Sequence, residues 1–314
     1  MLPLLIAAAL TLAAPTSTEV TLLSAPAALH GTLLMPGAST SAVAVILPGS
    51  GPTDRDGNSA QAGVVASNLR MLAEGLADRG VATLRIDKRG IAASSAAGLD
   101  ESALRFQAYA EDARAWAAEA AAQTGQPCAW LIGHSEGSLV ALQAVQVAPG
   151  QTPDDKICGV ISLSGAGRPA GAVLREQLAA VPEPLKTQAF AALSELEAGR
   201  TVADPPAQLA ALFRPSVQPY LISWLPLDPA ALAHAYAGPL LIGQGTTDIQ
   251  VSMADAQALA AARPDATFAR FEGANHLLKI APADRAANIA TYRDPALPLA
   301  AGVVDAVADF IAAH

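Results

Sequence analysis

A serine between two glycines carries the first chemical signal in the chain. Gly133-His134-Ser135-Glu136-Gly137 follows the apolar run 129–132 and precedes a helical pattern. In a G-x-S-x-G turn from strand to helix, only glycine fits beside the serine, whose hydroxyl is held in strained geometry above the sheet. The pattern predicts Ser135 as a nucleophile, with Gly133 and Gly137 shaping its turn; the alternative is an ordinary tight turn.

A serine hydroxyl is a poor nucleophile until a base takes its proton, and the chain has five histidines. His276 lies in "GANHLL", directly after the predicted strand "ATFARFEG", where a loop can bring an imidazole over the sheet. The others fall in an early strand, inside the serine turn, in a helical stretch and at the last position: His30, His134, His234 and His314. Elimination predicts His276 as the base, the alternative being a structural surface histidine.

The third group is an acid that holds the second imidazole nitrogen and stabilises the imidazolium. Asp248 follows the apolar strand "PLLIG" and completes the chain order Ser, Asp, His. Asp255 and Asp265 are rival carboxylates, but they fit the first turn of a helix and a surface turn. The sequence therefore predicts Asp248 as the acid.

Short apolar runs alternate with longer helical patterns, which predicts an α/β fold with a mostly parallel central sheet. The predicted strands are "EVTLLS", "LHGTLLMP", "SAVAVILPG", "VATLRID", "AWLI", "ICGVISLSG", "GPLLIGQG" and "ATFARFEG". Helices are expected around Leu69, Leu72 and Leu76, from about 101 to 124, from 135, across 167–235, over 253–262 and at the end. In open α/β sheets function gathers at the carboxyl ends of strands, where all three candidate residues fall.

Composition limits the possible partners. The 314 residues are 15% charged and 52% hydrophobic, with a net charge of −9 and no basic cluster. These values predict one globular domain with an insertion, and they disfavour nucleic acid and anionic membrane surfaces. The chain has neither a metal-ligand cluster nor a nucleotide fingerprint, so no metal and no organic cofactor is expected. The oligomeric state stays open.

The loop "LPGSGPTDRDGN", residues 47–58, combines glycines with acids. A phosphate loop would need glycine where Asp54 stands, and a calcium loop would need Gly and Glu where Ser59 and Val65 stand. The residues instead indicate a local brace, in which 54–56 pair with neighbours and Asn58 or Ser59 caps the next helix.

The first 15 residues are uncharged and apolar and end in small residues, which predicts a signal peptide and export to the periplasm or medium. Without cleavage the protein would stay in the cytoplasm, and the alternative structure is a buried first strand. The segment is too short to span a bilayer, so no stable membrane insertion is expected after its removal.

Two cysteines begin two predicted strands. If these strands are parallel neighbours, Cys128 and Cys158 lie close enough for a disulfide. The sequence leaves this pairing open, with two buried free thiols as the favoured state.

The serine turn, Asp248 and His276, in this order and on these loops, resemble the α/β-hydrolase superfamily over essentially the whole chain. Within it, "PGSGPTDRDGN", "GHSEG", "FRPSVQPYLISW" and "GANHLLK" are similar to bacterial EstD-type carboxylesterases. The resemblance implies an oxyanion hole formed by the backbone N–H groups of Ser50 and Glu136. It also implies a turn at residues 87–94, in which Ala92 replaces a glycine. For Arg89 in this turn we expect an ion pair with Glu136 or with an acid of the 47–58 loop, and the alternative is a solvated surface charge.

The resemblance further implies a helical cap at about 167–235 within a hydrolase domain of residues 16–314. The cap offers Phe213, Tyr220 and Trp224 to line a substrate pocket. The expected function is a carboxylesterase that acts on small to medium acyl chains through an acyl-enzyme. Two alternatives use the same three residues: a thioesterase, and a small-peptide or aminoacyl amidase in which Glu136 or Glu195 holds the amino group of the substrate. A more distant alternative is a non-catalytic binding protein with the same fold.

Overall fold

The structure is a computed structural model that describes residues 13–98, 100–147 and 152–314. Residues 1–12, most of the predicted signal peptide, lie outside the described part, so that prediction stays untested. Among the described residues, no helix combines the length and the apolar character needed to cross a membrane.

Eight strands form one twisted sheet whose spatial order is β1-β2-β4-β3-β5-β6-β7-β8. The pairings of β1 with β2 and of β2 with β4 are antiparallel, and all the others are parallel. The strands are β1 Thr16–Leu22, β2 Leu29–Met35, β3 Ala42–Leu47, β4 Val81–Ile86, β5 Ala129–His134, β6 Ile157–Leu163, β7 Leu240–Gly245 and β8 Thr267–Phe271. All eight predicted strands and the α/β class are confirmed.

Helices cover both faces of the sheet. They are α1 Asn68–Asp78, α2 Phe106–Thr124, α3 Glu136–Ala144, α4 Ala170–Leu178, α5 Leu185–Glu197, α6 Ala210–Phe213, α7 Gln218–Trp224, α8 Pro229–Ala235, α9 Met253–Ala262, α10 Arg285–Ala290 and α11 Val303–Ala313. Helices α4 to α8 all lie between β6 and β7 in the chain.

The strand residues alternate between two buried cores, one on each face of the sheet. Val43 and Val45 point to the core shared with α2 and α3, while Ala44 and Ile46 point to the core shared with α1 and α11. Because both faces are covered, β3 reads as a continuous apolar run, and its loop emerges at the carboxyl edge of the sheet.

Two helix predictions differ from the structure. The long helix begins at Phe106, because residues Glu101–Ala103 form a separate 3₁₀ turn and Arg105 is extended at the N-cap. Helix α10 was not predicted, since its six residues are too few to show a helical period.

Cys128 and Cys158 form a disulfide, which corrects the expectation of two free thiols. The parallel pairing of β5 with β6 places the starts of both strands side by side, and the two Cα atoms lie 5.3 Å apart. The bond lies at the amino ends of these strands, opposite the edge that carries the loops after β5 and β7.

Candidate active site

Ser135 occupies the sharp turn between β5 and α3. Its backbone has φ 56° and ψ −121°, a strained conformation for a residue with a side chain. A Cβ atom at Gly133 would overlap the carbonyl of Gly137, and one at Gly137 would overlap the carbonyl of Leu47. The glycines are therefore required by close backbone packing, which lifts the serine to the edge of the sheet.

His276 and Asp248 meet across the loops after β8 and β7. His276 Nδ1 lies 2.8 Å from Asp248 Oδ2, and both side chains are buried. The other carboxylate oxygen accepts the amides of Gln250 at 2.8 Å and Val251 at 3.0 Å. Burial alone would raise the pKa of Asp248, but His276 and these amides outweigh it and lower the pKa. The carboxylate is thus ionised and fixes a proton on His276 Nδ1, which leaves Nε2 free to act as a base.

Ser135 and His276 face one cavity of about 240 Å³. No direct hydrogen bond joins their side chains in the described structure; such bonds are often long in free enzymes and tighten when substrate binds. The cavity is also lined by the 49–53 segment, Gln250 and Tyr292. The structure therefore places Ser135 and His276 at one cavity, with the buried Asp248 bonded to His276 behind it.

The rival acids have other partners. Asp255 forms a capping box with Ser252 at the start of α9. It also accepts a hydrogen bond from Arg168, with Nη2 2.7 Å from Oδ2. Asp265 is exposed at the surface and pairs with Arg263 at 2.9 Å. Neither contacts His276.

His134 has a partner that sequence reasoning missed. Its Nε2 lies 2.7 Å from the main-chain carbonyl oxygen of His276, and the two rings are 5.0 Å apart between centroids. Burial, followed by the charge of His276, lowers the pKa of His134 to about 4. His134 is therefore neutral at pH 7 and donates Nε2–H to the loop that carries His276.

The 47–58 loop is anchored to the end of β4. Arg55 donates Nη2 to Asp87 Oδ2 at 2.7 Å, and its backbone N–H donates to Asp87 Oδ1 at 2.8 Å. Asp54 accepts the amides of Asp56 and Asn58 within the loop, and Asp56 pairs with Arg85. The acids brace the loop as predicted.

The helix-cap prediction for this loop is corrected. Ser59 makes no side-chain cap, since it precedes only the short 3₁₀ turn Ala60–Ala62. Asn58 Oδ1 accepts the amide of Ser67, which is itself the N-cap residue of α1. Asn58 therefore holds the residue in front of the helix, outside its first turn.

The predicted partners of Arg89 are wrong. Arg89 donates to Asp112 on α2 at 2.6 Å and to Ser24 at 2.9 Å. Its neighbour Lys88 turns inward instead, with Nζ 3.2 Å from Glu136 Oε1. Two consecutive cations thus point in different directions from the turn after β4.

That turn keeps its shape despite the missing glycine. Ala92 takes a positive φ of 46°. The buried Ser94 donates Oγ–H to the Asp87 carbonyl at 3.0 Å and accepts the His30 amide at 2.9 Å. These bonds stabilise the turn that an alanine alone disfavours.

The two residues predicted to form the oxyanion hole lie beside Ser135. Ser50 and Glu136 both line a second cavity of about 90 Å³ beside Ser135, and Ser50 also lines the first. Among the described residues, neither amide nitrogen has a hydrogen-bond acceptor. Glu136 is the first residue of α3, where backbone N–H groups point out of the helix.

The apolar walls come from α3, from the loop after β7 and from the helices between β6 and β7. Leu139, Val173, Leu174 and Val251 line the 90 Å³ cavity, and a neighbouring cavity of about 590 Å³ extends from Ser50 and Glu136 under α7. Tyr220 and Trp224 line the larger cavity. Phe213, also predicted for the pocket, lines none of these three cavities, because its side chain is fully buried in the core.

Within the described residues, no three His, Cys, Asp or Glu side chains are grouped as a metal site requires. The site instead combines the hydroxyl of Ser135, the imidazole of His276, the carboxylate of Asp248 and two backbone amides without acceptors in the described part of the chain. This set can perform nucleophilic acyl transfer.

Comparison with known proteins agrees with this architecture. Residues 63–211 match the model of a family described as "Hydrolase_4: Serine aminopeptidase, S33". No curated protein sequence matches the chain. Among solved structures, Est1E from Butyrivibrio proteoclasticus is similar, with a TM-score of 0.57, 17% identity and coverage of 94% of this chain and 98% of that one.

Two further structures share the fold. An esterase domain from a Rhodothermus marinus protein has a TM-score of 0.52 and 18% identity, and covers 90% of this chain and 97% of its own. A dienelactone hydrolase from Anabaena variabilis has a TM-score of 0.53 and 16% identity, and the match covers 96% of this chain and 99% of that one. Nearly the entire length of each relative is represented in this chain.

Proposed function

We propose that the chain is a serine hydrolase of the α/β-hydrolase superfamily and that it cleaves carboxylic esters. The acyl group is of small to medium size, and the reaction passes through an acyl-enzyme on Ser135. The observation that carries the proposal is the 2.8 Å contact between His276 Nδ1 and Asp248 Oδ2, together with a strained Ser135 that lines the same cavity as His276.

The chemistry follows from the tautomer of His276. Ser135 Oγ attacks the ester carbonyl carbon while His276 Nε2 accepts its proton, and Asp248 stabilises the imidazolium. As the tetrahedral intermediate collapses, Nε2–H gives the proton to the leaving alcohol. A water molecule then attacks the acyl carbon and passes a proton to Nε2, and Ser135 leaves with that proton as the free acid is released.

The oxyanion is held by two backbone donors. Ser50 and Glu136 both line the 90 Å³ cavity beside Ser135, and within the described residues neither N–H has a protein acceptor, which supports this role. Donors fixed before the reaction stabilise the developing charge without reorganisation, and each is worth about 10²- to 10³-fold in kcat.

The cavities support a placement for each half of the ester. The leaving alcohol must lie near His276, so it occupies the 240 Å³ cavity that His276 lines. The acyl group lies in the largely apolar 90 Å³ cavity, which shares Ser50, Glu136 and Leu174 with the 590 Å³ cavity. Helices α4 to α8 act as the cap over this acyl side, where Trp224 lines both cavities.

An aminopeptidase activity is the second candidate, because the matched family model carries that description. A peptidase that takes free amino termini needs a carboxylate to hold the ammonium group. Glu136 is already paired with Lys88, and Glu195 is paired with Arg200 at the surface. Ester hydrolysis is therefore favoured over removal of an amino-terminal residue.

The disulfide supports a proposal about location. Disulfides form and persist in oxidising compartments, so the Cys128–Cys158 bond favours the periplasm or the medium over the cytoplasm. This agrees with the export that residues 1–15 predict.

Hydrolysis of p-nitrophenyl acetate and butyrate by wild type and Ser135→Ala tests the function. The variant should be inactive but folded, and a fluorophosphonate probe should label wild type alone. Ser59→Ala removes another serine that lines the cavity and should still be labelled. Turnover by Ser135→Ala would overturn the assignment, and faster cleavage of aminoacyl p-nitroanilides than of esters would favour the aminopeptidase.

A further inference from the structure

Lys88 is buried beside the oxyanion donors, although the mechanism above gives it no role. Its side chain is 5% exposed, and its Nζ donates to the Gly49 carbonyl at 2.5 Å and to Glu136 Oε1 at 3.2 Å. The ammonium also lies 5.3 Å from the centre of the Tyr109 ring. A buried ammonium is costly unless it is well bonded, so this position is structurally demanding.

The bond to Gly49 controls a peptide plane. The Gly49 carbonyl and the Ser50 N–H belong to the same peptide unit, which is trans, since the cis peptide bonds of the described chain precede Pro26 and Pro184. In a trans unit these two groups point in opposite directions. By holding the carbonyl, Lys88 turns the Ser50 N–H to the opposite side of the plane.

The loop lies close to Ser135 at this point. A Cβ atom at Gly49 would lie 3.3 Å from the Cβ of Ser135, so the backbone passes directly against the nucleophile. A rotation of the Gly49–Ser50 peptide would therefore move the Ser50 N–H relative to Ser135. The bond from Lys88 opposes that rotation.

The second bond connects Lys88 to the other donor. Glu136 supplies the second N–H from its backbone, while its carboxylate pairs with the same ammonium. The Lys88 ammonium is thus bonded to both segments that carry the proposed oxyanion donors, namely the loop after β3 and the first turn of α3. Burial, and then the Glu136 carboxylate, raise the pKa of both Tyr109 and Tyr220, so these phenols stay neutral around the pair.

We propose that Lys88 is a positioning residue that sets the direction of the Ser50 N–H and its spacing from the Glu136 N–H in the oxyanion hole. This inference rests on the proposed serine hydrolase function. It assigns no proton transfer to Lys88, and its effect falls on the transition state.

The test removes the cation without leaving a buried carboxylate unpaired. In Lys88→Met/Glu136→Gln both members of the pair become neutral and keep similar shapes. With p-nitrophenyl butyrate, we expect kcat to fall about 10²-fold with KM within about threefold, as for loss of one oxyanion donor. Affinity for an alkyl trifluoromethyl ketone, which forms a hemiketal oxyanion on serine, should fall by a similar factor.

Lys279→Met is the matched control. Lys279 is also fully buried and also donates Nζ to a main-chain carbonyl, that of Asp294 at 2.8 Å. It should lower the melting temperature without a comparable fall in kcat. If the double variant keeps wild-type kcat, or if both variants lose kcat and ketone affinity equally, the role of Lys88 is overturned.

Two further arms keep the result decisive. If the double variant does not fold, Lys88→Arg replaces it, because a planar guanidinium cannot occupy the ammonium position between two acceptors. The same selective fall in kcat is then expected, and unchanged kcat overturns the proposal. Ser135→Ala separates the two hypotheses: if it stays active, the hydrolase function itself fails, whereas its inactivity beside a fully active double variant rejects only the role of Lys88.

Discussion

His134 Nε2 lies 2.7 Å from the main-chain carbonyl oxygen of His276, so the residue before the proposed nucleophile holds the loop of the proposed base. A carbonyl oxygen can only accept, and therefore the proton of neutral His134 is on Nε2. The serine turn and the histidine loop are thus joined by a direct hydrogen bond, in addition to lining one cavity.

Replacing His134 tests this link. His134→Phe leaves the His276 carbonyl without its buried donor, which should cost about 1–3 kcal/mol of stability and also lower kcat. His134→Gln offers an amide N–H in nearly the same place and should retain most of both. Urea unfolding and p-nitrophenyl butyrate kinetics measure the two effects; equal behaviour of the two variants would contradict the link.

The same residue predicts a pH dependence of stability. Burial lowers the pKa of His134 from 6.5 to about 4, so the unfolded chain binds more protons between these values. The free energy of unfolding should therefore decrease as the pH falls from 6.5 to 4, by about 3 kcal/mol from this group. His134→Gln cannot titrate, and its urea midpoint should depend less on pH across that window. Parallel pH profiles for both proteins would reject the assignment.

Asp248→Asn tests the acid. The amide cannot hold His276 in the tautomer with the proton on Nδ1, so kcat should fall about 10³- to 10⁴-fold with little change in KM. Asp265→Asn is the control, because Asp265 is exposed and pairs only with Arg263 in the described structure. Steady-state ester hydrolysis distinguishes them, and a loss of less than about tenfold for Asp248→Asn would remove it from the site.

Gly49→Ala should separate stability from activity. The new Cβ would lie 3.3 Å from the Ser135 Cβ and 3.6 Å from His134 Nδ1, so these groups must shift by a few tenths of an ångström. Such a shift at the nucleophile should cost about tenfold in kcat, while the melting temperature stays the same or rises. Gly51→Ala should instead lower the melting temperature. A Cβ at Gly51 would have no other atom within 4 Å, but the φ of 65° at this position is unfavourable for alanine. A large drop in melting temperature for Gly49→Ala would contradict this account.

Sequence patterns predicted the elements and the three facing residues well, because both depend on local signals. An apolar run bounded by turns predicts a strand, and the rule that function gathers at carboxyl ends selects the loops with Ser135, Asp248 and His276. Their proximity then follows from the neighbouring, parallel strands β5 to β8.

The sequence could not predict which of two adjacent cations turns inward. Lys88 and Arg89 follow the same strand, and only the backbone path of the 87–94 turn sends Lys88 to Glu136 and Arg89 to Asp112. The burial of Phe213 could not be predicted either, because an aromatic residue in a helical insertion suits a pocket wall and a core equally well. These outcomes depend on tertiary packing, for which a single sequence carries no local signal.

Loss of the Cys128–Cys158 bond should affect stability far more than activity. The bond closes a loop with a sequence separation of 30 residues, so Cys128→Ser/Cys158→Ser should lose about 3–4 kcal/mol in the chain-entropy estimate. The bond joins the amino ends of β5 and β6, whereas Ser135 follows the carboxyl end of β5, so kcat at 25 °C should stay within about twofold. Urea unfolding with and without dithiothreitol measures the first effect, and ester kinetics measure the second. Reduction that leaves the urea midpoint unchanged would show that the bond is not present in the folded protein, and would also remove the support for an oxidising compartment.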